Sequence, residues 1–74
     1  MCNSITRLLI ENENRPEIQE QIRAAAIQGA KDSGYNLILG YDNVPKSGNA
    51  MTYKDWEFAI SFALGRIEDT VNLD

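Results

Sequence analysis

Apolar positions are densest near the end of the chain, in "MTYKDWEFAISFALGRI", Met51 to Ile67. Tyr53, Trp56, Ile60, Ala63 and Ile67 follow at intervals of three and four, one stripe of an α-helix. Phe58 and Phe62 lie off that stripe, so the same helix carries a second apolar face. Its start is well marked. Thr52 is a good N-cap, Asp55 stands three residues on, and Met51 can staple onto Trp56. The pattern predicts a helix from Tyr53 to Asp69 or Val71, roughly 25 Å long at about 1.5 Å per residue.

A second helix is predicted in "NRPEIQEQIRAAAIQGAKDSG". Asn14 can cap it, Pro16 sits in the first turn where its missing N–H is harmless, and Glu17 follows. Ile18, Ile22, Ala25, Ala26, Gly29, Ala30 and Ser33 form its apolar stripe, which narrows from branched to very small side chains and so permits close approach of another helix. Equally, the alanines are good helix formers in their own right. Gly34 after "KDS" resembles a left-handed helix end, which would leave "YNLILGYD" as a strand. Alternatively the helix tolerates Gly34 and continues to about Leu39, so residues 35–41 stay open between helix and strand.

The remaining segments are shorter. Asn3 and Ser4 can cap a short helix over Ile5, Leu8 and Leu9, although the β-branched Ile5 and Thr6 also allow a strand. "GYDNVPKSGNA" is a loop, dense in Gly40, Asp42, Asn43, Pro45, Ser47, Gly48 and Asn49. The expected fold is therefore all-α. A short N-terminal helix precedes an antiparallel hairpin of two longer helices in a single domain spanning the chain. A rival β-α-β-α scheme would use "ITRLLIE" and "NLILGY" as parallel strands.

Size sharpens the meaning of the second apolar face. In 74 residues only about 60% of the unfolded surface can be buried, and small domains supplement such a core with disulfides, a metal or oligomerisation. The chain has one cysteine and no histidine, so Cys2 has no internal disulfide partner and oligomerisation is the expected support. A hairpin gives each helix one neighbour, which leaves Phe58 and Phe62 for another copy of the chain, unless the N-terminal segment folds over them.

Charge and chemistry remove several functions. Seven basic against eleven acidic residues give a net charge of −4 without a like-charged block, so duplex nucleic acid is not an expected partner. The apolar runs "LLI" and "LIL" fall far short of the ~18 residues of a membrane span; neither a membrane nor a secreted location is expected. Catalysis has no histidine, thiol pair or metal-ligand cluster to work with, and no glycine-rich phosphate loop is present. Neither an enzyme, a metal nor a cofactor is expected. A small anionic aromatic ligand is better served, with Arg23, Lys31, Lys46, Lys54 and Arg66 for phosphate and Tyr35, Tyr41, Tyr53 and Trp56 for stacking.

"RPEIQEQIRAAAIQGA", the "VPKS" loop and "DWEFAISFALGRIE" together resemble the helical-hairpin family of phage counter-defence sponges that includes the anti-CBASS and anti-Thoeris proteins. Pro16, Glu17, Glu20, Arg23, Ala24, Ala25 and Ala30 match its first helix. Pro45 and Ser47 match its loop, and Glu57, Ala59, Ile60, Phe62 and Ala63 its second helix. The resemblance implies an oligomer in the host cytoplasm that sequesters a cyclic di- or trinucleotide messenger at subunit boundaries without cleaving it. With it, the candidate ligand-binding set is Arg23, Lys31, Tyr35, Lys46, Ser47, Tyr53 and Arg66. The other expectation is a small acidic inhibitor that touches a host defence protein directly, in the manner of an anti-CRISPR.

Overall fold

The computed structural model describes residues 4–39, 42–48 and 52–73; Cys2, the Asn3 cap, Tyr41 and the Met51 staple lie outside the described residues. Helix α1 is Ser4–Glu11, α2 is Pro16–Asp32 and α3 is Tyr53–Thr70. Strands β1, Leu37–Leu39, and β2, Pro45–Ser47, stand between α2 and α3. The chain is mostly helical, as expected, with a small two-stranded sheet added.

Segment 4–11 is a helix because Ile5 and Leu9, one turn apart, are both fully enclosed on a single face. That finding overturns the parallel-strand scheme, and the sheet direction overturns it again. The two strands pair antiparallel, with Leu37 opposite Ser47, Ile38 opposite Lys46 and Leu39 opposite Pro45. Side chains finish α1: the amides of Asn12 and Gln19 donate to the carbonyls of Leu8 and Leu9, each at 2.8 Å, satisfying acceptors that a helix end leaves over.

Helix α2 starts at Pro16 but not with the expected cap. Arg15 holds the N-cap position without a side-chain hydrogen bond, and Asn14 lies one residue outside it. The cause is the preceding turn, in which the Arg15 N–H donates to the Asn12 carbonyl at 2.9 Å while the Arg15 carbonyl accepts from Ile18 and Gln19. At the other end the sequence signal was sound. Gly34 adopts φ 87°, its N–H donates to the Lys31 carbonyl at 3.0 Å, and the Tyr35 N–H reaches back to the Ala30 carbonyl at 2.9 Å. This crossed pair closes the helix, and the left-handed residue is one that glycine adopts without penalty. Residues 37–39 are consequently strand, and the alternative of a helix running on to Leu39 is excluded.

Helix α3 begins as predicted, with the Thr52 hydroxyl accepting from the Asp55 N–H at 3.1 Å. Its buried side is rotated from the predicted stripe. Ala59, Ala63 and Ile67 are enclosed, Trp56 and Ile60 are half-buried, and Tyr53 is 77% exposed. The stripe marked the largest side chains, whereas the closest helix contact selects the smallest. A Cβ on Gly29 would stand 2.7 Å from both the Phe62 carbonyl oxygen and the Arg66 Cβ, and 3.1 Å from the Ala63 Cα. The small stripe of α2 is therefore an approach surface, and its neighbour is α3 of the same chain. Ile5, Leu9, Ile22 and Ile67 fill the centre of the core between the helices.

Among the described residues, the N-terminal segment does not close over the second apolar face. Helix α1 contacts both α2 and α3, yet Phe58 and Phe62 remain 53% and 49% exposed.

Candidate functional site

Arg23 lies on α2 beside the loop that carries β2, and its side chain is only 16% exposed. The expected pair with Glu20 is present, Nη1 to Oε1 at 3.0 Å. A second contact was not anticipated: Nη2 donates to the Asn43 side-chain oxygen at 2.7 Å. From the other side the Thr6 hydroxyl donates to the Asn43 carbonyl at 2.6 Å. Asn43 sits at φ 60°, a left-handed conformation that asparagine tolerates better than most residues. Thr6 of α1 and Arg23 of α2 thus hold one strained loop residue by its backbone and its side chain. The Arg23 Nε is buried without a hydrogen-bond partner among the described residues.

Next to this latch, Lys46 pairs with Asp42 at 3.0 Å, and the Asp42 carboxylate also accepts from the Val44 N–H at 3.2 Å. The Lys46 hydrogen bond, and after it the Val44 N–H, hold the Asp42 carboxyl below its ordinary pKa of 3.8. Arg23 and Lys46 therefore each hold the turn at 42–44, while Pro45–Ser47, expected as loop, is strand β2 because it pairs with β1, and Ser47 ends it. Arg23 and Lys46 each face an oxygen of that turn, so a ligand phosphate there would compete with contacts that shape it.

The aromatic groups are elsewhere. Tyr53, Trp56, Glu57, Ile60, Ser61 and Leu64 line a groove of about 420 Å³ along α3. Tyr53 donates to Glu57, which raises the phenol above its ordinary pKa of 10.0. Indole, phenol and apolar rims suit a flat ring, but among the described residues the one charge lining the groove is the Glu57 carboxylate. A second cleft, about 370 Å³, lies between α2 and α3 and is bounded by Gln21, Ala24, Ala25, Gln28, Arg66, Thr70 and Val71. Arg66 faces Asp32 at 3.8 Å, longer than a hydrogen bond.

Of the seven candidate residues, Tyr53 belongs to the α3 groove and Arg66 to the α2–α3 cleft. Lys31 is exposed in the last turn of α2, where a cation suits the helix dipole. Tyr35 turns onto the core directly after that helix. Among the described residues, the α3 groove holds Tyr53 and Trp56 and the α2–α3 cleft holds Arg66, and neither joins a phosphate-type group to a stacking-type one. Sequence reasoning missed the partners that fix the loop, namely Thr6, Asp42 and Asn43. Their only sequence signal was the turn preference of the last two; Thr6 is joined to Asn43 across 37 positions.

No family model, curated protein or solved structure matches the chain. Among the described residues no group of three or more histidine, cysteine, aspartate or glutamate side chains could hold a metal, and no helix is long and apolar enough to cross a membrane.

Proposed function

We propose that the protein is a non-catalytic binding protein, in which α2 and α3 form an antiparallel hairpin that works as an assembly of copies. Its ligand is a cyclic di- or trinucleotide messenger, sequestered intact in the host cytoplasm during phage infection. The observation that carries the reading is the two uncovered sides of α3: on one, Tyr53 and Trp56 border a groove, and on another Phe58 and Phe62 stand out from the surface. A stacking surface with no cation among its described lining residues and a loop that carries Lys46 complement one another across a subunit boundary, so the ligand site is completed by a second copy. Base stacking then falls to Tyr53 and Trp56, and phosphate contact to Lys31 and Lys46.

Calorimetry of the intact chain against a panel of cyclic di- and trinucleotides, followed by denaturation and recovery of the nucleotide, tests this. Saturable binding, return of uncleaved ligand, and at least tenfold weaker binding by Trp56→Ala are expected. No heat across the panel, or hydrolysed ligand, overturns the proposal.

One observation favours the second reading, direct contact with a defence protein. Arg23, Lys46 and Arg66 already face Asn43 and Glu20, Asp42, and Asp32 in their own chain, while the exposed aromatics need no anion. That reading predicts silence against every nucleotide and tight capture of a host protein through Phe58 and Phe62.

A further inference from the structure

The outer face of α3 has a pattern of its own. Lys54, Phe58, Ser61, Phe62, Gly65 and Asp69 fall within an arc of roughly 100° on a helix that advances about 100° per residue. This arc looks away from Ala63, which faces the core. Gly65 is the anomaly on it. A glycine inside a helix costs about 1 kcal/mol relative to alanine, and at Gly29 close packing explains that cost. Apart from its chain neighbours and the backbone of its own helix, a Cβ placed on Gly65 has no atom of the described residues within 4 Å. Nothing among the described residues requires this glycine.

We propose that Gly65 is the socket for Phe58 of a second copy, in a two-fold, antiparallel α3–α3 contact whose axis passes between Ser61 and Phe62. The inference rests on the assembly part of the reading above and fixes its geometry. With that axis, Phe58 of each copy stands opposite Gly65 of the other, so the largest side chain of the arc meets the smallest. The two Phe62 rings meet beside the axis, each next to a small Ser61. Lys54 stands opposite Asp69 of the second copy, which places unlike charges at both ends of the contact. No other register of the helix against itself puts Phe58 on Gly65. Each half-exposed Phe offers on the order of 100 Å² from a side chain of about 150–250 Å². The four rings then cover about 400 Å² of the roughly 1,000 Å² that a specific interface needs, the flanking stems of Lys54 and Asp69 adding to it.

Sedimentation of the full chain from micromolar to millimolar concentration tests the register through two sets of variants. Gly65→Leu fills the socket; since that position is open within the chain, the isolated subunit keeps its fold and its circular dichroism, while self-association weakens at least tenfold. Lys54→Asp and Asp69→Lys each weaken association several-fold, and the double variant, which restores both charge pairs in exchanged positions, recovers most of the loss. If the wild type assembles but Gly65→Leu and the charge variants assemble as well as it does, this α3 contact is wrong and the oligomeric reading stands. A wild type that stays monomeric at millimolar concentration overturns both. Nucleotide binding is read separately by calorimetry, so its absence in a chain that dimerises through α3 removes the messenger and leaves the contact.

Discussion

Gly29 and Gly65 are both glycines in the middle of long helices, and they face opposite situations. Gly29 is enclosed on the α2–α3 contact, where a carbonyl oxygen and a Cβ would each lie 2.7 Å from an added methyl group. At Gly65 an added methyl group meets, beyond its chain neighbours and its own helix backbone, no atom of the described residues within 4 Å. The first glycine is explained by the fold of a single chain and the second is not. The same holds for the large side chains beside them, since Ile22 and Ile67 are fully enclosed whereas Phe58 and Phe62 stand half in water. What the contrast teaches is that α3 has one face fixed by its neighbour in the chain and another whose large side chains stand half in water.

The widest separation between the two regions is expected from truncating a large side chain in each. Ile22→Ala should cost about 2–5 kcal/mol in unfolding free energy, because it removes buried methyl groups and leaves a cavity. Phe58→Ala, measured by urea denaturation at concentrations too low for association, should change stability by less than about 1 kcal/mol, since much of its ring never leaves water. Equal losses would abolish the distinction between the faces.

A smaller effect of opposite sign follows for the glycines themselves. Gly29→Ala should destabilise by about 1–3 kcal/mol, at the upper end because the obstructing atom is a backbone carbonyl rather than a movable side chain. Gly65→Ala should stabilise the single subunit by about 1 kcal/mol through helix propensity alone. Thermal midpoints that move the same way in both variants would show that Gly65 is confined after all.

The weakest expected signal comes from Tyr53 and Glu57 on the exposed side. Their hydrogen bond raises the Tyr53 phenol above 10.0, so its small contribution to stability is fully present below that value and is lost as pH rises through the higher folded pKa. A ring-carbon NMR titration should show Tyr53 ionising above 10.0, and Glu57→Gln should lower its midpoint. A Tyr53 midpoint unmoved by that change would mean that the contact does not persist in water.

The loop offers a different lesson about Arg23. On helical spacing alone it pairs with Glu20, and such an exposed pair adds only about 0.2–0.5 kcal/mol. In the folded chain the same guanidinium also holds Asn43, so its removal would strip a largely buried loop contact as well as any ligand contact. For this reason the exposed Lys31 and Tyr53 are cleaner probes of binding than Arg23.

Where the controlling interaction spans a few residues, the sequence went furthest. Thr52 capping the Asp55 N–H and Pro16 opening α2 act within one turn and are readable as a string of letters; Gly34 closing α2 and the spacing of Ile5 and Leu9 in α1 are as local, but each left a rival, a helix to Leu39 and a strand, that only the folded chain removed. Asn14 failed even there, because a turn reaching back to Asn12 moved the cap by one residue. Tertiary structure decided the rest. Residues 37–39 became a strand only by pairing with 45–47, and Asn43 took its left-handed conformation between Thr6 and Arg23, which approach it from two separate helices. The buried side of α3 was likewise set by the neighbour. Hydrophobic periodicity reports which positions are apolar, but the close approach permitted by Gly29 selected Ala59 and Ala63 over Tyr53, because backbone-to-backbone proximity is limited by the size of the side chain between the helices and not by its hydrophobicity.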